Sequence, residues 1–92
     1  MKIFIWNADK NHILIEERGK SFEELDFHIQ NGDLIDDICH PNANDYPNQR
    51  IFIVNIDDYA YVVPHVENDR EYFLKTVIPR RKFTKHYLRG QL

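Results

Sequence analysis

The chain is 92 residues long with 42% hydrophobic and 13% aromatic side chains, enough for one hydrophobic core, so residues 1–92 are expected to fold as a single domain. Its formal net charge of −3 sets it apart from nucleic-acid-binding domains that are basic throughout, and a lone cysteine, Cys39, excludes an intramolecular disulfide. No apolar run of about eighteen residues and no apolar leader follows Met1-Lys2, so the expected compartment is the reducing cytoplasm and no membrane contact is expected.

Lys2 to Trp6 is a short β-prone segment. Asn7 or Asp9 can cap a first helix that runs through Glu17, with Ile13 and Leu14 facing inward and Gly19 ending it. Ser21 and Glu24 have capping-box spacing, Phe22, Leu25 and Ile29 share one helical face, and Gly32 supplies the stop of a second helix. Four segments rich in β-branched and aromatic residues follow: Leu34 to Ile38, Arg50 to Ile56, Tyr59 to Val66 and Glu71 to Ile78. The short connections at Asp57-Asp58 and Glu67 to Arg70 make the last three an antiparallel meander, and the Asn- and Pro-rich stretch Cys39 to Gln49 a surface loop. Pro64 cannot donate to a ladder and implies an edge or a bulge. A third helix is expected over Arg80 to Leu88. The order β-α-α-β-β-β-β-α describes an α+β fold, a twisted antiparallel sheet carrying two N-terminal helices and a C-terminal helix.

Charge is unevenly distributed along this order. Residues 75–92 contain Lys75, Arg80, Arg81, Lys82, Lys85 and Arg89 and no acid, whereas residues 1–74 hold all 15 Asp and Glu. Such asymmetry suits one surface that faces a polyanion such as RNA and another that repels polyanions or docks a basic partner.

Other chemistries lack their residues. The five histidines, His12, His28, His40, His65 and His86, form no H-x-x-x-H pair, and no C-x-x-C, G-x-G-x-x-G, Walker loop or G-x-S-x-G is present. No metal site and no cofactor is expected. Asp36 and Asp37, on a strand, point to opposite faces and cannot work as a carboxylate pair.

The basic segment offers more. On an α-helix Arg81, Lys85 and Arg89 form one stripe, with Phe83, Tyr87 and Leu88 on another face. Cleaving RNA without a metal requires a base for the 2′-OH, an acid for the leaving 5′-oxygen and cations for the charged phosphorane. Arg81 and Lys82 are candidates to clamp phosphate, with Arg80, Lys85 and Arg89 as further RNA contacts; His86 or Tyr87 is the proton carrier; Trp6 or Tyr61 can stack a base, although aromatics of this kind more often pack a core.

Trp6-Asn7-x-x-Lys10, then Arg18-Gly19-x-Ser21-Phe22-Glu23-Glu24, the central β meander and Arg81-Lys82-x-Thr84 together resemble the BrnT family of type II toxins over nearly the whole chain. The resemblance implies a RelE-like compact fold, metal-independent ribonuclease activity that halts translation, and neutralisation by a BrnA-like antitoxin, through which alone DNA would be contacted. It adds Lys10 and Arg18 to Arg81 and Lys82 as phosphate-binding or transition-state groups. The alternatives are a non-catalytic, degenerate toxin that binds an antitoxin-like DNA-binding protein, and an unspecific RNA-binding module.

Overall fold

The computed structural model describes residues 2–42 and 44–89, without the side chain of Arg89. Strand β1 (Ile3–Trp6) leads into helix α1 (Ala8–Arg18) and helix α2 (Phe22–Gln30); strands β2 (Leu34–Cys39), β3 (Gln49–Ile56), β4 (Tyr59–Glu67), β5 (Glu71–Leu74) and β6 (Ile78–Pro79) follow; a helical turn α3 (Arg81–Phe83) runs into a π-helical segment, Thr84–Arg89. The fold is α+β.

Both N-terminal helices are set by their caps. Asn7 Oδ1 accepts from the Lys10 N–H at 2.9 Å, and Gly19 closes α1 in the left-handed conformation at φ 65°, which costs glycine nothing. Ser21 Oγ accepts from the Glu24 N–H at 3.0 Å. Only this half of the expected capping box forms, because the Glu24 carboxylate lies 3.5 Å from Lys20 Nζ and 4.0 Å from His28 Nε2. Ser21→Ala is therefore expected to cost about 0.5–2 kcal/mol of stability, read as a lower denaturation midpoint. RNA binding per folded molecule should be unaltered; a variant with a wild-type midpoint and lost RNA binding would make this hydroxyl functional instead of structural.

Ile13 does not face inward. It is 45% exposed while Leu14 is buried, because adjacent helix positions point about 100° apart. The other inward position of α1 goes to Asn11, whose Oδ1 accepts from the Phe22 N–H at 2.8 Å and whose Nδ2 donates to Glu23 at 2.6 Å, tying the two helices together.

The strands form one sheet in the order β1-β5-β4-β3-β2, with β6 also paired to β4. β2 through β5 are antiparallel, as the meander requires, whereas β1 joins β5 in parallel, Ile3 opposite Glu71. Asp57 and Asp58 turn the β3–β4 hairpin at φ 55° and 64°, the primed-turn geometry that matches strand twist. The expected strand Glu71 to Ile78 is broken between Leu74 and Ile78, where buried Val77 enters the core. Pro64 faces that break. Its carbonyl accepts from the Lys75 N–H at 2.8 Å, and since N and C=O of one strand residue point to the same side, the missing donor faces the gap between β5 and β6 and no bond to β3 is lost.

The sheet is buried on both faces. Phe52, Val54, Ile56, Val63 and Leu74 pack against Leu14, Phe22 and Leu25 of α1 and α2. Ile51, Ile53, Ala60 and Val62 pack on the opposite face against Phe83 and Tyr87. The protein is therefore three layers, with the acid-rich helix pair on one side and the basic C-terminal helix on the other. None of its helices is long and apolar enough to cross a membrane, among the described residues.

Candidate nucleic-acid interface

The basic segment is held by its apolar and polar anchors, which leaves its cations outside. The Arg80 N–H donates to the Ala60 carbonyl at 3.0 Å. Buried Thr84 accepts from the Ala60 N–H and donates to the Arg80 carbonyl, both at 2.9 Å. With Phe83 and Tyr87 against the sheet, Arg80, Arg81, Lys82, Lys85 and His86 are exposed. A groove of about 490 Å³ is lined by Lys82, Phe83, Lys85, His86 and Tyr87. From Thr84 onward the expected α-helix is π-helical instead. The side chain of Arg89 lies outside the described residues, as do residues 90–92.

The two expected proton carriers differ. Tyr87 Oη donates to Asp36 Oδ2 at 2.8 Å; burial first, and then this hydrogen bond, push its pKa above the ordinary tyrosine value, so the phenol keeps its proton and directs it at the carboxylate. His86 stands exposed, edge-on to the Tyr87 ring with centroids 4.7 Å apart. Asp36 and Asp37 do point to opposite faces: Asp36 meets Tyr87, Asp37 meets Arg50.

The remaining expected site residues lie on the helix layer across the sheet. Trp6 is packed into that layer's core, stacked on Phe22 at 5.7 Å. Lys10 is in the first turn of α1. Arg18 stays on the helix side, Nη1 donating at 2.8 Å to the carbonyl of Val77, a residue of the helix-side core just before β6. Lys20 joins it there, its Nζ 5.6 Å from the Tyr61 ring, and Tyr61 pairs with Pro79. Lys20, between Gly19 and Ser21, is not among the residues the sequence singles out.

A second cluster also escaped the sequence because it exists only through strand register. Cys39, Arg50 and His65 form one row across β2, β3 and β4. Arg50 donates from Nε to Asp37 Oδ1 at 3.1 Å and from Nη2 to the Asp37 carbonyl at 2.9 Å, and the Asp37 contact raises its pKa further. His65 is fully buried, stacked on Phe52 with centroids 3.6 Å apart. Its Nδ1 is 3.0 Å from the Val63 carbonyl, which assigns the ring proton to Nδ1. Nε2 has no hydrogen-bond partner and is 3.7 Å from Asp37 Oδ1.

Burial lowers the His65 pKa, outweighing the raising effects of the Val63 carbonyl, Asp37 and Glu67. The unfolded chain takes up a proton below a pH of about 6.5 while the fold resists it, so stability should fall as pH drops through that value, by up to about 1.4 kcal/mol per unit. Urea midpoints of the wild type and His65→Gln, measured between about pH 7.5 and 5, isolate this contribution. An equal slope in both proteins would show that His65 is not held neutral.

Among the described residues no group of three or more His, Cys, Asp and Glu is placed to share a metal ion. No protein-family model, no curated protein and no solved structure matches the chain.

Proposed function

We propose that the chain is a ribonuclease toxin of the BrnT type, which cuts RNA without a metal ion, thereby blocks translation, and is held inactive by a BrnA-like antitoxin. The observation that carries this reading is the groove of Lys82, Phe83, Lys85, His86 and Tyr87, flanked by exposed Arg80 and Arg81. It offers cations for phosphate and an exposed imidazole, next to aromatic faces of the kind on which bases stack. The motif resemblance supplies the toxin class. Arg81 and Lys82 hold the phosphate being cut, and Arg80 and Lys85 its neighbours. His86 accepts the 2′-OH proton as the 2′-oxygen attacks phosphorus, then returns a proton to the departing 5′-oxygen, leaving a 2′,3′-cyclic phosphate and a 5′-OH.

Expression without a partner is expected to arrest growth, and purified protein to cut RNA equally well with and without a chelator. Harmless expression at confirmed levels of folded protein counts against a toxin, and activity lost to chelation and restored by metal overturns the mechanism. The second reading, a non-catalytic module that docks an antitoxin-like DNA-binding protein, is favoured by two observations: Tyr87 is tied to Asp36, and Trp6 and Lys10 stand across the sheet from the basic groove. It predicts that RNA is recovered whole.

A further inference from the structure

The helix layer leaves part of its sheet face uncovered. α2 ends at Gln30 and the chain turns through Gly32, at φ 89°, into β2, so beyond Ile29 no helix among the described residues covers this face of the strands. A cavity of about 460 Å³ opens there, lined by Lys2, Phe4, Ile29, Gln30, Leu34, Phe52 and Tyr72. That volume lies in the range of small-molecule sites, which pair apolar and aromatic walls with a few polar groups.

Its floor is aromatic. Phe4 stacks on Tyr72 with centroids 5.4 Å apart, and the edges of both meet Phe52, at 5.9 and 5.2 Å. The fully buried His65 ring stacks beneath Phe52 and sets its plane. The polar lining is one cation and one amide. Lys2 extends over the Tyr72 ring, 5.3 Å from its centroid, and pairs with Glu67, whose carboxyl it holds below the usual range; Gln30 engages Asp26 through a long bond of 3.3 Å. Both Lys2 and Gln30 can turn to an incoming acceptor at the cost of exposed, weak contacts.

The geometry points to a binding site for a small planar aromatic anion, its rings on Phe4, Phe52 and Tyr72 and its carboxylate or phosphate on Lys2 and Gln30. Aromatic walls suit a flat ring through offset and edge contacts, and the single cation at the mouth selects an anion over a neutral or cationic analogue. The site lies on the face of the sheet opposite the basic groove, so it stands or falls independently of RNA binding.

The test is a titration of the ¹⁵N-labelled chain followed by amide shifts, with 2-naphthoate as the aromatic acid, 2-naphthylmethanol as its neutral analogue and adenosine monophosphate as the nucleotide source of the same chemistry. The expected result is saturable shifts centred on Phe4, Ile29, Leu34, Phe52 and Tyr72 with naphthoate, about tenfold weaker binding of the alcohol, and the same tenfold loss for naphthoate in Lys2→Gln, the scale of one ionic contact. Leu34→Trp, a filling substitution at a residue already 38% exposed, should remove binding while the spectrum stays dispersed. Nucleotide shifts at these residues include nucleotides in the class; nucleotide shifts confined to Lys82–Tyr87, with naphthoate in the cavity, restrict it to aryl acids. No saturable shift at the cavity, equal binding of acid and alcohol, or undiminished binding in a folded Leu34→Trp overturns the site.

Discussion

Alanine at both Arg81 and Lys82 is expected to lower RNA affinity at low salt by roughly a hundredfold or more, with a parallel loss of growth arrest. Each charge-assisted contact to phosphate contributes about 1.5–3 kcal/mol, and adjacent contacts add incompletely, so a combined loss of about 3–4 kcal/mol is the conservative sum. The slope of log affinity against log salt should become shallower by roughly 1.4 on a single strand, two contacts at about 0.7 each. Both side chains are exposed, so the unfolding midpoint should hardly move. A variant that keeps its affinity and its salt slope would place the RNA elsewhere and remove the main support for the proposed function.

The largest expected effect on stability belongs to Phe22→Ala, at about 3–5 kcal/mol. Phe22 is fully buried, stacks on Trp6, and begins α2 with its N–H held by Asn11, so truncation leaves a cavity where both helices meet the sheet. Against a total stability of about 5–15 kcal/mol for a domain, a loss of this size puts unfolding within reach of ordinary temperatures. Urea unfolding measures it. A cost below about 1 kcal/mol would mean that the helix pair packs differently from the arrangement described. RNA affinity per folded molecule should persist, since the basic groove is built on the other face of the sheet.

What the sequence disclosed was local. Asn7, Gly19 and Ser21 announce helix ends because capping is decided within a turn, and the Asp57-Asp58 connection announces the hairpin because two residues allow little else. The opposite faces of Asp36 and Asp37 follow from strand alternation alone. What remained hidden depends on partners distant in the chain. Nothing in Ile3 to Trp6 reveals a parallel pairing with Glu71 to Leu74, and the row of Cys39, Arg50 and His65 needs the registers of three strands before it can be seen. Ile13 and Leu14 are equally apolar, and only the placement of Asn11 against Phe22 decides which turns inward. The basic groove was legible as composition, but the locking of Tyr87 on Asp36 beside an exposed His86 was not.

The parallel seam between β1 and β5 has a consequence for synthesis. During translation Ile3 to Trp6 is made 65 or more residues before its partner Glu71 to Leu74, so β1 stays unpaired beside the helix pair until β5 has emerged. Distant pairings of this kind slow folding and expose apolar edges meanwhile. Nascent chains truncated before β5 should therefore be the form most open to chaperones and proteases, and maturation becomes a single late event in which seam, core and basic helix close together.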